Sequence, residues 1–265
     1  GLSINGGAEV DIQNCTFVSN TAVRDGSAVF IDGGSSVTIQ DSLMEANTIL
    51  TSAGTIYAFE AASIAISNTV IRNNKVTGQF ACGFYFAASD VTFEDVIIEA
   101  NTIESAGANY AAAGFITEAA QLTFNRVDFI GNVGQADTVH MTSGANLACT
   151  DCRFIENEVE TTGSVLMLTG GSTATFASST FVGNSGGLTA FSLSDEDDSL
   201  KIQASVIANT SNSVALIHDV TGDDFAVALE TVTFGSNAGG PALASAGLVL
   251  VQNCEGLAAA DVTAA

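Results

Sequence analysis

Leu122-Thr-Phe-Asn-Arg-Val-Asp-Phe-Ile-Gly-Asn132 is followed 25 residues later by Leu147-Ala-Cys-Thr-Asp-Cys-Arg-Phe-Ile-Glu-Asn157. Each stretch opens on an alternating apolar strand and closes on Phe-Ile-x-Asn. The two align position by position. Such self-similarity is the mark of a repeat architecture.

Working outward from this pair, the opening strand recurs along the chain. It appears as Val10-Asp-Ile12, Val37-Thr-Ile39, Ile64-Ala-Ile66, Val91-Thr-Phe93, Leu122-Thr-Phe124, Leu147-Ala-Cys149, Ala174-Thr-Phe176, Leu200-Lys-Ile202, Val227-Ala-Leu229 and Leu248-Val-Leu250. Successive anchors, the second apolar residue of each, lie 27, 27, 27, 31, 25, 27, 26, 27 and 21 residues apart. Five residues after an anchor comes a second apolar residue, and three further on comes Asn: Asn20, Asn47, Asn74, Asn101, Asn132, Asn157, Asn184 and Asn237. The eighth repeat has Thr210 in that slot, with Asn209 one place early.

A third apolar run follows, often opened by Gly, as in Gly26-Ser-Ala-Val-Phe-Ile31 and Gly163-Ser-Val-Leu-Met-Leu168. Strands alternate their faces, whereas a helix needs apolar residues at i, i+3, i+4 and i+7, a spacing sustained nowhere here. The expected fold is therefore all-β: a right-handed, single-stranded parallel β-helix. It has about ten coils of roughly 27 residues with three short strands each, forming one domain over residues 1–265. A buried Asn at one corner of each coil stacks into a ladder, bonding its neighbours and the turn backbone.

The repeat resembles the right-handed β-helix superfamily that includes pectate lyases. Within it, the pattern is similar to the FxxN and GGAI-like elements of polymorphic outer membrane proteins and other surface adhesins. The first element matches at Phe17-Val-Ser-Asn20, Phe129-Ile-Gly-Asn132, Phe154-Ile-Glu-Asn157, Phe181-Val-Gly-Asn184 and Phe234-Gly-Ser-Asn237. The second is degenerate, as at Gly240-Pro-Ala-Leu243. The resemblance implies surface display, adhesion and self-association.

Composition narrows the function. The 265 residues carry 29 acids against 6 bases, a formal net charge of -23. That balance repels phosphate and anionic lipid, so nucleic acid is not an expected partner. No run of eighteen apolar residues suggests membrane insertion. The chain opens at Gly1 already in pattern, as expected of a mature product or a piece of a longer one.

Enzymatic β-helices cluster carboxylates with a basic residue. Here the four arginines, Arg24, Arg72, Arg126 and Arg153, match no lyase pattern. Of the polygalacturonase elements only Asp-Asp occurs, at Asp197-Asp198 and Asp223-Asp224. No catalytic residue is expected. No cofactor is expected either, with Ca²⁺ as the one candidate ion, on Asp195, Asp197, Asp198, Asp223 and Asp224.

The function expected is an extracellular or cell-surface structural or adhesive module, associating with itself or with another surface protein. The alternative is a β-helix that binds or degrades polysaccharide. The interface is expected on the third strand, whose outward row reads Phe30, Tyr57, Phe84, Phe115, His140 and Met167, flanked by Phe59 and Phe86. An exposed apolar row marks an interaction surface.

Asn14 and Asn209 head N-glycosylation sequons. Five cysteines form no disulfide framework, and Cys149 and Cys152 read as a buried thiol and an edge thiol. Cys15 and Cys254 sit in matching segments of the first and last coils, which suggests an intermolecular disulfide.

Overall fold

A computed structural model of the chain describes all residues except 62, 79, 105–110, 160–162, 188, 209, 213–214, 220–226, 237, 240–242, 246–248, 257–261 and 265. It forms the expected right-handed parallel β-helix, and every strand pairing is parallel. The first and second strands of the coils lie in one 17-stranded sheet, because in two coils the chain runs through the corner unbroken, as Asp90–Glu99 and Gln121–Ile130. The third strands stack into an 11-stranded sheet. Two-residue strands directly after each ladder residue, such as Thr21–Ala22 and Thr48–Ile49, add a nine-stranded sheet. They are too short for a period of two to show in the sequence.

The interior is filled by the inward residue of each strand. Nine fully buried phenylalanines dominate the described core. Phe129, Phe154 and Phe181 stack through three coils at 4.4 and 4.9 Å between ring centres. In the last coil the paired register is Leu229 with Val251, so the anchor there is Val251 rather than Leu250.

The Asn ladder shows why this slot takes one residue type. In each interior rung the Oδ1 accepts both the backbone N–H and the Nδ2–H of the Asn one coil before. Asn132 Oδ1, for example, accepts from Asn101 N at 3.1 Å and Asn101 Nδ2 at 3.0 Å. Its own Nδ2 donates to Asn157 Oδ1 at 3.0 Å and to the Ile98 carbonyl at 2.8 Å. Two donors and two acceptor sites are all used, in a site with no water access. An aspartate lacks the donors and a serine lacks the reach. Asn237 lies outside the described residues, and Thr210 fills its expected slot, buried.

The corners depend on single residues in the left-handed region. The corner between first and second strands repeats it at Asn14, Asp41, Asn68, Asp95, Arg126, Asp151, Ser178, Ala204, Thr231 and Asn253, with φ between 46° and 56°. Asn and Asp tolerate this conformation best, which accounts for their frequency in the slot. Just after it runs a second internal ladder. Ser42, Thr69, Ser179 and Ser205 each donate a hydroxyl to the carbonyl two residues before. Ser42, Thr69, Ser179 and Ser205 also accept a backbone N–H from the preceding coil.

Cys15, Cys152 and Cys254 share this column. Cys152 is disulfide-bonded to Cys149 across the corner, both being buried, so the expectation of two separate thiols is corrected. The first strand brings Cys149 inward and the sharp corner turns Cys152 back upon it, with 6.0 Å between the Cα atoms.

Candidate interaction face

The third face carries a continuous row of rings. Strand register aligns Phe30, Tyr57, Tyr85, Phe115, His140 and Met167, one per coil. The first five rings stack nearly parallel, with centres 5.3, 4.8, 5.5 and 4.9 Å apart and interplanar angles of 5° or less. Parallel strands about 4.8 Å apart set the spacing. Phe80 meets Tyr85 and Phe115 edge-on.

Two expected members of the row are corrected. Phe84 and Phe86 are fully buried in the core, and Tyr85 takes the outward place. The coil containing Tyr85 is one residue longer than the preceding one, 28 residues separating Tyr57 from Tyr85 against 27 separating Phe30 from Tyr57. A shift of one residue exchanges the two faces of a strand. Opposite Phe84 the neighbouring coil has Gly114, and a Cβ there would come within 2.0 Å of the Phe84 ring. The glycine makes room for the inward phenylalanine.

Phe30, Tyr57, Tyr85, Phe59 and Met167 are partly exposed, whereas Phe115 and His140 are covered. Burial is the main cause that raises both tyrosine hydroxyls above the usual range, with Asp25 and Glu118 adding negative charge nearby; Tyr85 is pushed up to about 12. At its far end the row closes on a buried pair. His140 Nδ1 lies 2.7 Å from Asp137 Oδ2. Asp137 Oδ1 accepts the N–H and the hydroxyl of Ser164 in the next coil, at 2.9 and 3.1 Å.

At the corner between first and second strands, Arg126 pairs with Asp95 through Nε and Nη2, one edge of its guanidinium, and Nη2 also reaches Glu94 at 2.8 Å. The hydrogen bonds from Arg126 hold the Asp95 carboxyl below the ordinary range. Arg153 pairs in the same manner with Asp128. Asp95, Ile97, Arg126, Asp128, Asp151 and Arg153 line a groove of about 350 Å³.

The acidic loop is built differently from an ion cage. Asp198 is buried, and its carboxylate accepts the backbone N–H groups of Ser172, Asp195 and Ser194. Burial nevertheless raises its carboxyl above the ordinary range. Asp195 accepts the N–H of Gly170 at 2.6 Å, and Asp197 is exposed. The expected grouping of these acids as ion ligands is thereby corrected for Asp198, which serves as a turn cap. Asp223 and Asp224 lie outside the described residues, as does Asn209. Asn14 is exposed at its corner. Cys15 and Cys254 are both partly exposed and occupy the same column at opposite ends of the described helix.

The family model of the right handed beta helix region matches residues 1–144 and 47–211. The chain belongs to that family. No curated protein and no solved structure matches it.

Proposed function

We propose that the chain is a non-enzymatic extracellular or cell-surface module that associates laterally with copies of itself through the third face, in the manner of an adhesive or filament-forming β-helix. The observation that carries this reading is the stacked, partly exposed row Phe30, Tyr57 and Tyr85. Within the row the ring faces are consumed by each other, so only their edges point outward. Ring faces are what a sugar or a base stacks on. Ring edges and the Tyr57 and Tyr85 hydroxyls suit a protein surface, where each edge buried contributes area but little directional bonding.

The surface location is supported by the Cys149–Cys152 disulfide, since such bonds persist in oxidising compartments. The net charge of -23 also suits a solvated surface. At that charge, like copies repel, so association strengthens as salt screens them. Sedimentation of wild type and of a Tyr57→Ser, Tyr85→Ser variant over a salt series tests the reading. Wild type is expected to form larger species as salt rises while the variant stays monomeric. Equal behaviour of the two removes the third face as the interface.

The second reading, polysaccharide binding, is favoured by the groove of Arg126, Arg153, Asp128 and Asp151. It places planar charged groups beside Ile97, a combination that can hold hydroxyls. Sparing of Arg126 and Arg153 from arginine-specific reagent by an acidic oligosaccharide would support it.

A further inference from the structure

We propose that His140 and Met167 form a binding site for a soft monovalent metal ion, copper(I), with Asp137 as the residue that positions the imidazole. Three observations meet at this point. First, the ring's hydrogen bonding is fixed. Asp137 Oδ1 accepts the N–H and the hydroxyl of Ser164, which fixes the carboxylate, and Oδ2 lies 2.7 Å from His140 Nδ1. That contact leaves Nε2, the other ring nitrogen, to meet a ligand. A carboxylate holding the far nitrogen of an imidazole is the usual support of a metal-bound histidine.

Second, Nε2 is available. It makes no hydrogen bond with the described residues, in a ring that is almost wholly buried. Parallel stacking on Phe115 at 4.9 Å prevents the ring from turning away.

Third, Met167 is the register partner of His140 in the next coil and occupies the same outward row, partly exposed. Neighbouring strands are about 4.8 Å apart. A thioether beside an imidazole selects copper(I) over hard cations. Met44 and Met141 lie buried in the core, so Met167 is the thioether placed for a ligand.

The site is tested by anaerobic titration with copper(I) supplied as its acetonitrile complex, in competition with the chromogenic chelator bicinchoninate. A Cys15→Ser, Cys254→Ser background removes the partly exposed thiols, which bind the same ion. The chain has three methionines and two histidines, so methyl-labelled Met and nitrogen-labelled His spectra are readily assigned. One equivalent is expected to move the Met167 methyl alone and the His140 Nε2 resonance. Met167→Leu and His140→Phe, which preserve shape and stacking, should each weaken binding at least about 10-fold. Asp137→Asn should weaken it roughly 10- to 100-fold and redistribute the His140 tautomer signal. A Met167 methyl unmoved at two equivalents, or undiminished affinity in both His140→Phe and Met167→Leu, overturns the proposal.

Discussion

Replacing Asn132 by Ala cuts the internal ladder at its centre. The side chain takes part in four hydrogen bonds: two accepted from Asn101, one donated to Asn157 and one to the Ile98 carbonyl. After truncation the Asn101 backbone N–H and one Nδ2–H are left buried without an acceptor. Each such orphan costs roughly 1–3 kcal/mol. Partial closure of the gap recovers some of this, and the expected loss is about 3–5 kcal/mol. The control is Asn20→Ala at the first rung. Asn20 is partly exposed, its Nδ2 donates to Asn47 Oδ1, and its Oδ1 receives only the amino terminus at 3.3 Å. The Asn20 N–H keeps its bond to Asn47, so no buried donor is orphaned and about 1 kcal/mol is expected. Solenoids need not unfold in one step, so urea denaturation should be paired with amide hydrogen exchange at Asn101. Equal losses for the two variants, with unchanged protection of the Asn101 amide, would refute the account of the ladder as a fully saturated buried chain.

The row register makes a second, opposed pair of expectations. Phe84→Ser should destabilise by about 3–5 kcal/mol, because it empties a fully buried site, while Tyr85→Ser should cost well under half of that in the same melt. Gly114→Ala should destabilise because its Cβ meets the Phe84 ring at 2.0 Å, and Phe84→Leu should relieve part of the loss in a double-mutant cycle. In alkaline titration followed by tyrosinate absorbance, Tyr57 and Tyr85 should stay protonated well above pH 10, Tyr85 titrating near pH 12. A folded-state value raised above the unfolded one means that the native chain holds more protons between about pH 10 and 12. Stability should accordingly fall as pH rises through that window, and a flat profile would contradict the half-buried placement.

The coil was legible because its devices repeat at a nearly constant interval. Asn47, Asn74 and Asn101 each announce the same corner, and a pattern of period two on either side leaves little freedom for the strands. What escaped has a physical pattern of its own. The column Cys15, Ser42, Thr69, Val96, Val127, Cys152, Ser179 and Ser205 mixes hydroxyl, sulfur and alkyl groups of similar size, so its identity varies while its shape does not. A slot that selects for volume gives no signal to a search for residue type. Phe84 failed for the opposite reason: both faces of its strand are aromatic, so neither pattern nor hydropathy chooses between them. Only the one-residue insertion ahead of it, together with Gly114 in the facing strand, turns it inward. The Asp137–His140 pair could not be read from spacing either. The pairing register shifts between Ala111 and Gly114, just where Asp137 enters the sheet, and simple alternation no longer tells which side a residue takes. Asp137 and His140, three residues apart, nevertheless meet at 2.7 Å, a contact that strict alternation of faces does not foretell. The Asp137–His140 pair thus stands beside a break in register, whereas the Arg126–Asp95 and Arg153–Asp128 pairs stand at the regular corners, so the consensus and its interruptions both place charged groups on the surface or just beneath it.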